Sequence, residues 1–473
     1  MNSLALTMNT DSLIKRQLSL MPDMAPELSA SPDGRQFESR PVLGKLVTNA
    51  QRFLRGKQDA ERLTILPGLR GVGKTTLLLQ LSPALAGEGV PAERRLYLPC
   101  DRLATIPGAS LSDAVHSYEI VLGSDLASQK APTFILLDEA QYAPDWGLAA
   151  KVIFDEARAV QLVVTGSSAL ALKLNPDVAR RAAVARIAPM GLSEYLFLNG
   201  LLARPAPSPA GLAAAAGSND VLGFFKAHAR SAGRALATVP GLEHAVRRFL
   251  LAGSLPSTMG VRDLHQAWSK TYRAIERIME MDLPAIGHFD QNTLRAARPA
   301  TTLIADSAER SIQKLASELA LPPATTMGLV EALVKSELLL EVPAAGPPGK
   351  GARRKKRHYY SAPSMMAAVL DAAGLDPWTR RGELLECAAA GLLARLPGIG
   401  LRYDPDGGGA DFVLEGKSRG VVEVGWGDKG DRQVMATMSR HKAAWGFVVC
   451  ECGAPFLSGK VVHVPVEQFL AMG

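Results

Sequence analysis

The most chemically specific stretch of the chain is Gly68-Leu69-Arg70-Gly71-Val72-Gly73-Lys74-Thr75, which matches G-x-x-x-x-G-K-[ST]. It follows an apolar run, Leu63-Thr64-Ile65-Leu66, and opens onto Thr76-Leu77-Leu78-Leu79, the start of a helical pattern. Glycines in such a loop let successive backbone N–H groups turn inward and cradle a chain of phosphates. The N-terminus of the following helix adds its positive dipole end. Lys74 is then placed to reach the β- and γ-phosphates and the Thr75 hydroxyl to bind Mg²⁺. Further on, Phe134-Ile-Leu-Leu runs into Asp138-Glu139. A carboxylate at that strand end is the second Mg²⁺-organising group, and Glu139 is the base for the attacking water. An Asp-Glu pair here favours ATP hydrolysis over a GTPase or a simple kinase. The next apolar run ends in Thr165, Ser167 and Ser168, hydroxyls that can sense a γ-phosphate.

Two other clusters carry chemistry. Arg353-Arg354-Lys355-Lys356-Arg357 precedes His358-Tyr359-Tyr360, a basic run suited to a phosphate backbone, with DNA, RNA or an acidic protein patch as alternatives. Near the C-terminus, Glu386 falls on a helical pattern, Asp411 at a first strand (ADFVLE) and Glu423 on a second (VVEVGW). A helix Glu, a strand Asp and a strand Glu-x-Lys form the acidic Mg²⁺ cluster of restriction-endonuclease-like nucleases. Here Gly425 stands where the lysine belongs, so a degenerate site is expected, unless Lys429, Lys442 or Arg440 supplies the cation. Cys450-Glu-Cys452 has too few ligands for structural zinc.

These groups need elements to position them. Short apolar strands separated by helix-length segments predict a parallel α/β sheet over 41–201, with residues 1–40 as a loose N-terminal strap. Residues 202–222 are rich in Pro, Ala and Ser and read as a linker. A helical lid is expected over 223–295. Three helical blocks, a strand, the basic hairpin and a second strand then predict a winged helix-turn-helix over 296–370. Residues 371–473 return to α/β. With 47% apolar and 21% charged residues the chain is globular rather than disordered. It has no run long enough to span a bilayer, no secretory pattern at its start and only four cysteines, all of which point to the cytoplasm. Its net charge of +7 suits a phosphate-bearing partner without requiring one.

As a set, GLRGVGKTTLL, LLDEAQYAPDWG, VVTGSSALAL and RRAAVARIAPMGLSEYL resemble the prokaryotic AAA+ ATPases related to the signal-transduction (STAND-like) NTPases. More narrowly, they resemble the subfamily of predicted ATPases with a C-terminal restriction-endonuclease-like domain of unknown function. The resemblance extends over about 41–473. It implies that Gly73, Lys74 and Thr75 hold ATP and that Asp138 and Glu139 are the metal-binding and catalytic carboxylates. Gln141 and Trp146 match the residues that follow that strand in the family. Arg181 matches an arginine aimed at the γ-phosphate, although Arg180 stands where the family has glycine. Pro189–Tyr195 matches a Pro-Leu-Ser-x-x-Glu-Tyr element with Gly191 inserted.

The resulting expectation is a protein that binds and hydrolyses Mg·ATP to switch conformation or self-assembly, acting on nucleic acid. Two other readings stay open at this level: a nucleotide-gated switch for a protein partner, and an active ATP-dependent nuclease.

Overall fold

The computed structural model describes residues 9–28, 30, 34, 36–167, 176–205, 221–346, 356–406 and 408–472. Ser168, most of the expected linker, and Arg353, Arg354 and Lys355 lie outside them. The chain forms two compact units, Met1–Ala188 and Pro189–Gly473.

The first unit begins with a helix where a loose strap was expected: α1 (Thr10–Leu28). Asn9 and Ser12 cap it reciprocally, each side-chain oxygen accepting the other's backbone N–H at 2.9–3.0 Å. Leu13, Ile14, Met21 and Ala25 recur at helical spacing and are buried. Leu13 and Ile14 join Leu63, Leu96 and Tyr118 in the core, so this segment is part of the domain. After α2 (Pro41–Leu54) come β1 (Leu63–Pro67), α3 (Lys74–Gly87), β2 (Arg95–Pro99), α4 (Leu111–Leu122), β3 (Thr133–Asp138), α5 (Trp146–Glu156), β4 (Val160–Gly166) and β5 (Ala183–Val184). The sheet is parallel throughout, in the order β2-β3-β4-β1-β5. β1, β3 and β4 are buried along their whole length, which explains why each reads as a continuous apolar run. This arrangement puts the carboxyl ends of β1, β3 and β4 side by side.

The second unit starts earlier than the expected boundary at 201. The Met190 N–H donates to the Ser254 carbonyl at 2.9 Å, and α6 (Leu192–Leu198) carries Tyr195 against Gly253. A Cβ on Gly253 would stand 2.6 Å from the Tyr195 ring, so only glycine admits that ring. Helices α7 (Val221–Leu236), α8 (Leu242–Arg248) and α9 (Leu264–Arg277) occupy the region read as a lid. Next come α10 (Gln291–Asp306), α11 (Ile312–Leu319), α12 (Pro323–Lys335) and the antiparallel pair β6 (Leu339–Pro343) and β7 (Lys356–Tyr360). The buried helix α13 (Pro363–Ala372) and α14 (Arg381–Leu393) lead to a six-stranded sheet. Its strands are β8 (Gly400–Arg402), β9 (Phe412–Glu415), β10 (Gly420–Val424), β11 (Trp445–Cys450), β12 (Phe456–Ser458) and β13 (Val461–Pro465), in the order β12-β13-β11-β10-β9-β8. β10, β11 and β13 run parallel at its centre and the other pairings are antiparallel. Between β10 and β11 lies α15 (Arg432–His441).

Candidate functional site

The phosphate-loop motif lies between the end of β1 and α3. The Gly68 N–H donates to the Gly166 carbonyl at 3.3 Å, and a Cβ on Gly68 would stand 2.3 Å from the Ile187 carbonyl oxygen. Gly71 and Gly73 both adopt φ +86°, a left-handed conformation open to glycine at no steric cost. Leu69 and Val72 are buried and pin the loop to the core. The Lys74 ammonium is buried, donating to the carbonyls of Gly68 (2.9 Å) and Leu69 (3.1 Å), with Glu139 Oε1 at 3.9 Å. Loop, lysine and helix start come together as the motif implies.

At the end of β3 the Asp138 carboxylate sits among three hydroxyls. Oδ2 accepts from Thr75 Oγ1 at 2.8 Å and from the Tyr97 hydroxyl at 2.9 Å, while Oδ1 accepts from Thr165 Oγ1 at 2.5 Å. Burial pushes the Asp138 pKa up, with these hydrogen bonds opposing. Glu139 takes a left-handed φ of 52°, and its N–H donates to Thr165 Oγ1 at 3.2 Å. Its carboxylate receives a close hydrogen bond from Gln141 Nε2 and lies 3.5 Å from Arg70 Nη1. The same Gln141 accepts the Ser167 N–H at 3.2 Å, which ties Glu139 to the end of β4. Among the described residues the buried Ser167 hydroxyl has no hydrogen-bond partner.

Two contributors, Arg40 and Tyr97, were not apparent in the sequence as parts of this site, and Arg70, named there as a loop residue, contributes its side chain as well. Arg40, just before the Pro41 that opens α2, donates to the carbonyls of Val72 (2.7 Å) and Ala188 (3.0 Å), bracing the loop from outside. Tyr97 reaches Asp138 from the adjacent strand. The Arg70 side chain faces Glu139 and donates to the Tyr142 hydroxyl at 3.2 Å. The motif accounts for Arg70 by its backbone alone, and nothing local to Arg40 or Tyr97 points to the loop.

Arg181, expected at the γ-phosphate, is held here by carboxylate and carbonyl oxygens. Its Nε and Nη2 engage the two Asp155 oxygens at 2.9 and 3.1 Å, and Nη1 donates to the Asp177 carbonyl at 2.7 Å. The arginine is committed to α5, and Arg180 pairs with Asp177. Of the basic run, Lys356 and Arg357 fall within the described residues, and both have carboxylate partners. Lys356 pairs with Glu341 of the neighbouring strand at 2.9 Å. Arg357 is largely buried, pairs with Glu309 and lies 4.5 Å over the Tyr403 ring. Strand alternation sends these two side chains to opposite faces, each with a carboxylate waiting.

In the second unit Glu386 on α14, Asp411 just before β9 and Glu423 on β10 lie close enough for their charges to act on one another. Asp411 Oδ2 accepts the Val424 N–H at 2.8 Å. Burial, with Glu386 and Glu423 adding to it, raises the Asp411 pKa well above the usual carboxylate range. Burial likewise raises Glu386 to about 7, opposed by Arg357 and reinforced by Glu383 and Glu423. Of the three cations considered from sequence, Lys429 reaches the cluster, donating to Glu423 Oε1 at 2.8 Å. Arg440 is bound to Asp404 and Asp406, and Lys442 is exposed at the end of α15.

An AAA domain family model matches residues 60–196, the stretch from just before β1 through most of α6. An uncharacterized protein of Methanocaldococcus jannaschii is 32% identical over 425 residues, 88% of this chain and 86% of that protein. A Haemophilus influenzae protein is 26% identical over 144 residues, 29% of this chain and 34% of its own. Among solved structures, the Thermotoga maritima RuvB Holliday junction branch migration motor has 14% identity and a TM-score of 0.27, covering 72% of this chain and 95% of its own. AMPPCP-bound DnaA from Aquifex aeolicus has 13% identity and a TM-score of 0.29, covering 65% and 92%. A near full-length relative at 32% identity and an AAA domain match over the residues that carry the loop, lysine and carboxylate pair lead to one conclusion: the chain belongs to the family of the Methanocaldococcus protein, and its residues 60–196 form an AAA domain.

Proposed function

We propose that the protein binds Mg·ATP at Gly68, Leu69, Arg70, Gly71, Val72, Gly73, Lys74, Thr75 and Thr76, hydrolyses it, and uses the cycle to switch conformation or assembly on nucleic acid. The observation that carries this reading is the 2.8 Å hydrogen bond between Thr75 Oγ1 and Asp138 Oδ2, with Glu139 beside it. A hydroxyl and a carboxylate already in register form a hard-oxygen pair that suits Mg²⁺, and the glycine-walled loop suits phosphates. When bound, Mg²⁺ neutralises charge developing between the β- and γ-phosphates. Thr75 and Asp138 hold it, Lys74 leaves the loop carbonyls for phosphate oxygens, and backbone N–H groups fix the chain. Glu139, released by Gln141 and Arg70, takes the proton from the attacking water. Ser167, with its unspent hydroxyl, reads the γ-phosphate.

The net charge of +7 and the Arg353-Arg354-Lys355 stretch support a nucleic acid as the target. A second reading, a protein partner, gains from the pairing of Lys356 and Arg357 within the fold. ATP turnover measured with single-stranded DNA, duplex DNA or RNA across a salt series separates the two. Stimulation by one nucleic acid that fades with salt supports the first reading, and turnover indifferent to all three supports the second.

A further inference from the structure

The Cys450-Glu-Cys452 motif takes no part in the phosphate site, and the fold builds a proton acceptor beside it. Cys450 closes β11, and His463 lies on the neighbouring strand β13, opposite Val448. Strand alternation puts Val448 and Cys450 on one face of the sheet, together with Val461 and His463. His463 Nδ1 lies 3.9 Å from Cys450 Sγ, and Nε2 makes a close hydrogen bond to Asp431 Oδ1. Ser458 Oγ donates to the other oxygen, Oδ2, at 2.6 Å. Burial would raise the Asp431 pKa, but the hydrogen bonds from Ser458 and His463 outweigh it and hold the carboxyl below its usual value. An ionised Asp431 takes the proton-bearing side of the ring at Nε2, which leaves Nδ1 with a lone pair facing the thiol. Phe456 stacks flat on the imidazole, with ring centroids 4.3 Å apart, and fixes its plane. Cys452 is partly exposed, whereas Cys450 is 1% exposed. Burial pushes the Cys452 thiol up to about 12, and the hydrogen bond it donates to the Cys450 sulfur adds to that. Burial raises Cys450 as well, opposed by that same hydrogen bond and by one from the Lys429 N–H. The nearby side chains of Asp428, Glu451 and Glu467 are acidic and disfavour a thiolate further. Reaction at neutral pH therefore requires a local base, and His463 is in place to be that base.

We propose that Cys450 and Cys452 are a thiol–disulfide exchange site for small disulfides, with His463 as proton acceptor and Asp431 as its positioning residue. The partly exposed Cys452 meets the disulfide, RS–SR. Its proton passes to the Cys450 sulfur as the Cys450 proton passes to His463 Nδ1. The Cys452 thiolate then bonds to one sulfur of RS–SR, the S–S bond breaks, and the departing RS⁻ takes the proton from His463. Next, Cys450 gives its proton to His463 and attacks the Cys452 sulfur. The Cys450–Cys452 bond forms, and the second RS⁻ leaves with that proton. Two protein thiols are oxidised, and one small disulfide is reduced to two thiols. Residues two apart in a strand stand about 6.6 Å apart, inside the Cα span of about 4.4–6.8 Å that a disulfide allows. The bend at Glu451 shortens that distance. A bond closing so small a ring is strained and readily reduced, so the site is reversible. The Lys429 N–H rests on the Cys450 sulfur, and the Glu451 N–H donates to the Gly427 carbonyl at 3.1 Å. Closing the pair therefore acts on the loop between β10 and α15. None of these residues belongs to the phosphate loop, and the proposal stands apart from ATP hydrolysis.

The test incubates the full chain with oxidised glutathione at neutral pH and maps the cysteines by peptide mass spectrometry. Wild type should lose two hydrogens across Cys450 and Cys452 and regain them in dithiothreitol. Cys450→Ser should stop at glutathione attached to Cys452, and Cys452→Ser should stay unmodified at Cys450. Melting curves accompany His463→Gln and the conservative Asp431→Asn, and Asp431→Asn carries the test alone if the buried His463 does not tolerate replacement. In folded protein His463→Gln should slow oxidation by about 10²-fold, and Asp431→Asn by a smaller factor. Both gaps should close at alkaline pH, where thiolates form without a base, a dependence that a merely structural role does not predict. No disulfide between Cys450 and Cys452, glutathione held stably on wild-type Cys452, or oxidation at the wild-type rate in the folded variants of His463 and Asp431 would each overturn the proposal.

Discussion

Asp138 and Glu423 each lie at or near the carboxyl end of a central parallel strand, and both are nearly fully buried, yet they are satisfied in opposite ways. Asp138 is surrounded by the hydroxyls of Thr75, Tyr97 and Thr165, which donate without bringing charge. Glu423 has one oxygen on the Lys429 ammonium, and the other has no hydrogen-bond partner among the described residues. A hydroxyl-lined carboxylate keeps its charge for a cation that arrives with a ligand. A lysine-paired carboxylate already has half its charge answered, and any cation it takes must share. The first arrangement fits a site that is loaded and emptied in a cycle.

Substitutions can break or sharpen this contrast. The largest effect is expected from Lys74→Ala, which removes the ammonium held inside the loop. ATP turnover should fall by about 10²–10³-fold, with weaker nucleotide binding. Leu13→Ala tests whether α1 belongs to the first unit: Leu13 is fully buried, and the cost should be about 2–5 kcal/mol in denaturant unfolding. An unchanged midpoint would return α1 to the status of a loose strap. Thr165→Val keeps shape but removes the hydroxyl shared by Asp138 and the Glu139 N–H. Hydrogen bonds to charged groups contribute about 1.5–3 kcal/mol, so turnover should drop roughly 10- to 100-fold with ATP binding little changed. Replacing Arg353, Arg354 and Lys355 with Ser should lower the salt slope of DNA binding by about 0.9 for each phosphate that is no longer neutralised.

The smallest expected effect concerns Asp404 in the second unit. Its side chain is fully buried, and burial alone would raise its pKa. Hydrogen bonds from Arg440, Thr437 and His441 outweigh that and hold it below the usual value. A depressed carboxylate contributes stability that is present above its unfolded pKa of about 3.9 and is lost as pH falls through the folded value. Melting of the second unit should therefore weaken as pH drops below about 4, and less steeply in Asp404→Asn. Equal slopes would show that Asp404 contributes no pH-dependent stability.

The phosphate site was legible because it is built from contiguous backbone. Glycine spacing, a lysine and a hydroxyl at fixed offsets imply the loop without knowledge of its neighbours. Asp138 and Glu139 followed because an apolar strand ending in two carboxylates leaves few other places for them. Arg40 and Tyr97 act across tertiary contacts that leave no local pattern. α1 was hidden by its polar composition, though Leu13, Ile14, Met21 and Ala25 keep helical spacing. Arg181 was expected at the γ-phosphate and Arg357 on a phosphate backbone, and each has a carboxylate partner distant in sequence, Asp155 and Glu309, that the sequence does not reveal. The choice of Lys429 over Lys442 or Arg440 depended on where α15 and its flanking loop run, which spacing along the chain does not contain.

The central claim is that Glu139 activates water on Mg·ATP held by Thr75 and Asp138. It is tested most directly by comparing wild type with Glu139→Gln, with nucleotide binding and single-turnover hydrolysis measured on the same protein. The substitution keeps the shape of the side chain and removes the proton acceptor. The account predicts ATP binding within a few-fold of wild type and a chemical step slowed by about 10²–10⁴-fold. Hydrolysis at the wild-type rate in Glu139→Gln would contradict it.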